Sequence, residues 1–168
     1  MRSRRRFLKF GVAGALILAT ATLLRGQSAY RPASSNEPLV ALDENDRWIL
    51  AAIVPAMLPG VPREKLHAVV GSVDRAIAGL PPHLQREVQQ LLALLGSWAG
   101  RRWIAGVRSP WPTASQGEVA SFLSEWRFSR WRLLQQGYHA LHELVFAAWY
   151  ARPDSWAAIG YPGPPELQ

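Results

Sequence analysis

The first candidates for chemistry in this sequence are two histidines and a glutamate near its C-terminal end. His139, His142 and Glu143 occupy positions i, i+3 and i+4, and residues at this spacing lie on one side of a helix. Imidazole nitrogens and carboxylate oxygens are common metal ligands. The spacing nevertheless differs from the His-Glu-x-x-His helix of zinc proteases, and the repeated Glu-x-x-His pairs of di-iron bundles are missing. A metal site and a merely polar helix face both remain as interpretations, and the pattern favours the second.

The rest of the sequence contains no other recognisable catalytic or cofactor-binding pattern. It has no glycine-rich phosphate loop after a strand and no Gly-x-Ser-x-Gly nucleophile turn, and its twelve Asp and Glu residues form no recognisable catalytic pair. Because the chain has no cysteine, it has no disulfide, thiolate metal site, iron–sulfur cluster or c-type haem attachment. We therefore predict that the chain is not an enzyme by itself and holds no cofactor of its own.

The clearest motif lies at the N-terminus. An arginine pair followed by a Phe-Leu step and a lysine leads directly into the uncharged, apolar residues 10–24, which is the pattern of a twin-arginine (Tat) export signal. Fifteen apolar residues are fewer than the roughly 20 needed to span a bilayer as a helix. We predict a signal segment over residues 1–29, read by the Tat translocase, and export to the periplasm. The signal residues are Arg4, Arg5, Phe7, Leu8 and Lys9.

Two fates of this leader are compatible with the sequence. Small residues such as Ala29 permit cleavage, whereas an uncleaved leader would keep the protein in contact with the membrane.

The strongly basic charge of the chain belongs mostly to this leader. Six of the nineteen Lys and Arg residues, and none of the twelve acidic residues, lie in the first thirty positions. The remainder therefore has thirteen basic residues against twelve acidic ones, which is a net charge of +1. Because that remainder has no extended basic and aromatic patch, nucleic acid is not an expected partner.

The residues after the leader predict a single all-α domain, a small bundle of about five to six helices. Residues 30–41 are rich in Ser, Ala, Asn and Pro and read as a flexible linker, so the domain is placed at 42–168. Asp43 is the expected N-cap of a first helix that ends near Met57. Ser115 and Glu118 have the spacing of a capping box at the start of a later helix. No strand pattern is present.

Apolar residues at three- and four-residue steps predict the other helices. A second helix is expected over residues 63–78 and a third after Pro81 and Pro82. A long helix is expected to end near Tyr150, followed by a short helix at Pro153 and an extended, proline-rich tail. The third helix is predicted to bury one face that contains Leu84, Val88, Leu91, Leu92, Leu95 and Trp98. The long helix is predicted to bury a face that contains Trp131, Leu134, Tyr138, Leu141 and Val145.

Aromatic residues are the expected points of contact with another protein. All eight tryptophans lie after the leader, and several occur near arginines between positions 101 and 132. Tryptophan and arginine are enriched in protein interfaces, but they also form cation–π clusters within one domain, and both interpretations stay open. The tail is either a docking segment or a cap on its own bundle. The interface candidates are Trp103, Trp111, Trp149, Tyr150, Trp156, Tyr161, Pro162, Gly163 and Pro164.

The Tat leader, the helix start at Leu42 and the tail together resemble a known family. The aromatic pair Trp149-Tyr150, followed by Trp156 and the ending Tyr161-Pro162-Gly163-Pro164, is similar to the gluconate 2-dehydrogenase subunit 3 family. These are small subunits of periplasmic flavin-dependent sugar and alcohol dehydrogenases. Residues 63–112 contain no motif that we assign to this family.

This resemblance implies a partner and a role. It implies a large FAD-containing subunit of the glucose-methanol-choline type that lacks a signal of its own, and a cytochrome c subunit or another acceptor for its electrons. The chain is then expected to be a non-catalytic small subunit that escorts the flavoprotein through the Tat pathway and stabilises it. The alternatives are an independent periplasmic metal-binding protein or enzyme that uses His139, His142 and Glu143, and a membrane-tethered binding module.

Overall fold

The computed structural model describes residues 39–156, and in this part of the chain every regular element is helical. The predicted all-α fold is therefore confirmed. The predicted signal residues, most of the linker and the tail residues Tyr161, Pro162, Gly163 and Pro164 lie outside the described residues. The helices are α1 Glu44–Met57, α2 Leu66–Ala78, α3 Pro82–Gly96, α4 Gln116–Arg127, α5 Arg132–Tyr150 and α6 Pro153–Trp156.

Short turns of other helix types connect these elements. Arg63–Lys65 forms a 3₁₀ turn before α2, Gly100–Ile104 forms a π-helical turn after α3, and Trp111–Thr113 forms a 3₁₀ turn before α4. In the described part of the chain no helix is both long and apolar enough to cross a membrane.

Both predicted helix starts have the expected capping geometry. The Asp43 carboxylate accepts a hydrogen bond from the Asp46 backbone amide at 2.9 Å, and the Asp46 carboxylate accepts one from the Asp43 amide at 3.1 Å. Ser115 and Glu118 make the same reciprocal pair at the start of α4. Each box satisfies two backbone donors, which fixes where the helix begins. The prediction that α1 ends at Met57 is also confirmed.

Helix α1 lies at the centre of the bundle, as its lack of a polar face predicts. Ile49, Ile53 and Val54 are fully buried, and no residue from Trp48 to Leu58 is exposed. The helix packs against α2, α3 and α4, so it is covered on several sides at once. Pro55 lies within the helix rather than ending it.

Helix α2 packs along α5, and a polar contact joins their ends. Nη1 of Arg152, just after α5, donates hydrogen bonds to the Ala68 carbonyl at 3.0 Å and to the Ser72 hydroxyl at 3.2 Å. The C-terminal end of α5 therefore lies beside the N-terminal half of α2. Helix α5 also packs against α4, so it contacts both α2 and α4.

The segment before α1 is bound to α2 through one buried carboxylate. Asp74 is only 2% exposed, and it accepts hydrogen bonds from the amides of Val40, Ala41 and Leu42 at 2.7, 2.9 and 3.0 Å. This arrangement corrects the predicted boundary between linker and domain. Residues 40 and 41, assigned to the flexible linker, belong to the packed domain because their backbone donors are held by α2.

A row of aromatic side chains fills the core between α4 and the preceding turn. Phe122 makes edge-to-face contacts with Trp111 and Trp126, with ring centroids 6.0 and 4.9 Å apart. Each indole nitrogen has a backbone partner, since Trp111 Nε1 donates to the Leu95 carbonyl and Trp126 Nε1 to the Ile104 carbonyl. These bonds remove the cost of burying an unpaired polar group.

Two helices differ from the predicted burial pattern at their ends. Leu84 and Trp98, predicted to be core residues at either end of α3, are 37% and 65% exposed. Trp131, predicted to lie on the buried face of the long helix, is 55% exposed and precedes its first turn. Periodicity identifies the direction of a face but not how much of it is covered: Leu84 and Trp131 line an open groove, and Trp98 lies beyond the last residue of α3.

Candidate functional site

An apolar groove lies between α3 and α5. It has a volume of about 980 Å³. We define the apolar groove by its main aliphatic and aromatic lining residues, most of them on α3 and α5. These are Leu80, Leu84, Val88, Leu91, Leu94, Ile104, Trp126, Trp131, Leu133, Leu134 and Leu144.

A glycine shapes the floor of the apolar groove. A Cβ atom at Gly137 on α5 would come within 2.5 Å of Cζ3 of Trp126 and 3.5 Å of a methyl carbon of Leu91. Because glycine has no side chain, the indole of Trp126 packs directly against the α5 backbone. Leu91 of α3 meets α5 at the same place, so Gly137 sets how closely the two walls approach.

The charged side chains that line the apolar groove are both acidic. Glu87 projects from α3 and Glu143 from α5, and both residues are exposed. Gln90 and Gln136 add uncharged polar groups. The groove is therefore suited to an apolar occupant, and Glu87 and Glu143 favour positive groups beside them.

Five large apolar side chains between residues 98 and 133 are exposed, and two of them, Trp131 and Leu133, also line the groove. We call them the aromatic surface: Trp98, Trp103, Phe128, Trp131 and Leu133, which are 65%, 73%, 75%, 55% and 65% exposed. The hydrogen bond from Trp126 to Ile104 holds the π-helical turn beside the end of α4. Trp103 lies in that turn and Phe128 directly follows α4, so these two segments are neighbours, and large exposed apolar side chains there fit a protein-binding site.

Arginines accompany this surface. Arg102 lies 5.7 Å from the ring of Trp103, Arg130 lies 5.6 Å from Trp131, and Arg127 lies 5.2 Å from Phe128. The cation–π contacts expected from the sequence are therefore present within the domain. They do not cover the rings, whose exposed faces remain accessible in the isolated chain.

The loop next to the aromatic surface is held by Glu118. Its carboxylate accepts hydrogen bonds from the backbone amides of Arg108 and Ser109 as well as that of Ser115. Desolvation by itself would raise the pKa of Glu118, but hydrogen bonds from Ser109, Ser115 and Arg108 outweigh it, and the pKa lies below its ordinary value of 4.5. Glu118 thus prefers its charged form in the folded protein.

Arg101 braces the same loop from the π-helical turn. Its Nη1 donates to the Arg108 carbonyl at 2.9 Å. Partial burial lowers the pKa of Arg101 from its usual value, while the negative charge of Glu118 opposes that change. The arginine remains charged at neutral pH, so charge-assisted hydrogen bonds from Arg101 and to Glu118 hold the loop at Arg108 and Ser109.

The tryptophans predicted as interface residues have different positions in the structure. Trp103 is 73% exposed and Tyr150 is 44% exposed, in agreement with an accessible role. Trp156 is half-buried and its Nε1 donates to the Tyr150 carbonyl. Trp111 and Trp149 are only 4% and 9% exposed. Both side chains are therefore inaccessible to a partner in the isolated domain, and their role at an interface stays a prediction.

Four members of the aromatic surface were not recognised as interface candidates: Trp98, Phe128, Trp131 and Leu133. A local signal existed for two of them, since Phe128 and Trp131 directly follow an arginine, as Trp103 does. A preceding arginine does not by itself predict that an aromatic side chain is exposed, because Trp48 also follows an arginine and is half-buried within the bundle.

The candidate metal ligands lie on α5, where both histidines make aromatic contacts. His142 stacks on Phe146 with ring centroids 4.1 Å apart, and the ring of Tyr138 lies near both His139 and His142. Glu143 instead lines the apolar groove. Among residues 39–156 no group of three or more His, Asp or Glu side chains is placed to hold a metal ion.

Comparisons with known proteins identify no relative of this chain. No protein-family model, no curated protein and no solved structure matches this chain.

Proposed function

We propose that this chain is a non-catalytic small subunit that is exported through the Tat pathway together with a larger FAD-bearing dehydrogenase subunit and stabilises that subunit in the periplasm. The chain contributes the export signal and a docking surface, and the partner contributes the flavin and the chemistry. A cytochrome c subunit or another acceptor takes the electrons. The proposal rests on the leader, on the family resemblance of the tail and on the exposed surface of the bundle.

The observation that carries the proposal is the aromatic surface. Three aromatic rings, those of Trp103, Phe128 and Trp131, are more than half exposed, and an arginine lies against each. Tryptophan and arginine are the residues most often found at the energetic centre of protein interfaces. Exposed apolar rings lower the solubility of an isolated domain, whereas a docking subunit uses them for affinity.

The leader supplies the second argument. The Tat pathway carries folded proteins, most often because a cofactor is inserted before export. This chain has no pattern that would hold a cofactor, so its own folding does not explain the choice of pathway. A cofactor-containing partner that shares the leader explains it.

Replacing both signal arginines tests the escort role. Arg4→Lys with Arg5→Lys keeps the charge but removes the guanidinium pair that the receptor reads. The partner is identified as the larger chain that co-purifies with the tagged wild-type protein. In cells that make the double variant, both chains should stay in the cytoplasm, as judged by fractionation and immunoblotting.

The matched control changes arginines that lie outside the motif. Arg2→Lys with Arg25→Lys preserves the pair and should leave export of both chains near the wild-type level. Export of the flavoprotein in cells that lack this chain, or in cells that make only the Arg4→Lys/Arg5→Lys variant, would refute the escort role.

A further inference from the structure

We propose that the apolar groove between α3 and α5 binds the apolar residues 10–24 of the same chain's leader before export. This inference goes beyond the proposed function and does not depend on a flavoprotein partner. It gives the groove an occupant whose length, charge pattern and attachment point match features of the described residues.

The first match is in length. A helix of fifteen residues, as many as residues 10–24 contain, is about 22 Å long. The α5 wall of the groove, from Leu133 to Ala147, is also fifteen residues long. A volume of about 980 Å³ is near the upper limit of roughly 1,000 Å³ for small-molecule pockets. Elongated grooves between two helices are well suited to binding the apolar face of a third.

The second match is in polarity and charge. Residues 10–24 carry no charge, and Lys9 and an arginine cluster precede them directly. The groove is lined by leucines and aromatic rings, and its charged lining residues are Glu87 and Glu143. An occupant that is apolar in its body and basic at one end therefore complements the leucine lining and these two carboxylates.

The leader is also attached to the domain close to the groove. The described residues begin at Leu39, and the amide of Val40 is bound to Asp74, two residues before Ala76 on the groove wall. Fifteen residues, 25–39, connect this point to the apolar segment, and they can extend to about 50 Å. A tether of this length gives an effective concentration on the order of millimolar. Binding within one chain is therefore favoured over binding between chains.

Cysteine cross-linking tests this placement in the full chain, which has no native cysteine. Leu18→Cys lies near the middle of the apolar segment, and Ala140→Cys lies in the middle of the α5 wall. The control pairs Leu18→Cys with Ser121→Cys, an exposed position on α4 that does not line the groove. Both partner substitutions are small, and circular dichroism would verify that each variant is folded.

The purified double variants are oxidised at low protein concentration without detergent or membranes, and the disulfide is followed on non-reducing gels. The Ala140 pair should form an intramolecular disulfide about tenfold faster than the Ser121 pair, because docking holds the two thiols together. Equal rates for the two pairs would overturn the proposal, and so would a product of dimer size. A loss of flavoprotein binding would leave this result unchanged, so the two proposals fail separately.

Discussion

The indole of Trp126 packs directly against the backbone of Gly137, where a Cβ atom would come within 2.5 Å of the ring. This contact joins α4 to α5 and forms the floor of the apolar groove. Trp126 is also fixed from its other side by the hydrogen bond to Ile104. The ring cannot move away without breaking that bond, so the contact constrains both the bundle and the groove.

Gly137→Ala is therefore expected to destabilise the protein. The added methyl group must displace a well-packed ring, at a cost of about 1–3 kcal/mol in the free energy of unfolding, despite the better helix propensity of alanine. Urea denaturation followed by circular dichroism measures this change. Gly117→Ala in α4 is the control, because its Cβ would meet only an ordinary contact at 3.9 Å. That variant should match the wild type or gain up to about 1 kcal/mol.

Asp74→Asn is expected to loosen the segment before α1. An amide has one acceptor oxygen and no charge, so the amides of Val40, Ala41 and Leu42 lose strong hydrogen bonds. We expect a loss of about 2–3 kcal/mol in unfolding free energy and faster hydrogen exchange at these three amides. Asp43→Asn is the matched control, since asparagine is an equally good N-cap, and it should change stability by less than about 0.5 kcal/mol.

Protonation of Glu118 is expected to cause part of the loss of folding stability in acid. Its pKa in the folded protein lies below the ordinary value of 4.5, so the unfolded chain binds its proton more tightly. The stabilisation is fully present above about pH 4.5 and is lost as the pH falls through the folded pKa. Glu118→Gln should be less stable than the wild type at pH 7, and the difference should shrink between pH 5 and pH 3. Denaturation curves that stay equally far apart over this range would contradict the assignment.

Local sequence signals predicted the elements whose causes are local. Asp43 and Ser115 cap the helices that they were expected to cap, because a capping box depends on residues three positions apart. The burial of α1 also followed from its lack of any polar face. These features require no knowledge of how the helices pack against one another.

Features that depend on contacts between distant residues were missed. The three amides bound by Asp74 are 32 to 34 residues away in sequence, so nothing near Asp74 indicates them. In the sequence, Gly137 is only a residue of low helix propensity, and nothing indicates its close contact with Trp126. Composition likewise could not separate the buried Trp111 from the exposed Trp103, because the difference depends on which segments cover each ring.

The groove and the aromatic surface emerge only from the assembled bundle. Leu84, Leu91 and Leu144 belong to helices whose apolar faces were predicted to pack in the core. In the folded chain they line a groove instead, because α3 and α5 do not close over one another along their full length. Among the predicted interface residues, Trp103 is accessible and Trp111 and Trp149 are buried, and the interface itself stays a prediction.

Binding to the partner should be separable from the stability of the domain itself. Trp103→Ser with Phe128→Ser removes two rings that are 73% and 75% exposed, so the unfolding free energy should change by less than about 0.5 kcal/mol for each. Binding to the partner should weaken about tenfold or more, because exposed aromatic anchors dominate interface energies. Val40→Ser, at an equally exposed apolar position beside Asp74, is the control and should bind like the wild type.

Purification of the tagged chain from the periplasm tests the central claim most directly. The account predicts a roughly equimolar larger chain with the absorption spectrum of a flavin, and its loss from the Trp103→Ser/Phe128→Ser variant but not from Val40→Ser. A lone, colourless monomer from the wild-type cells would contradict it.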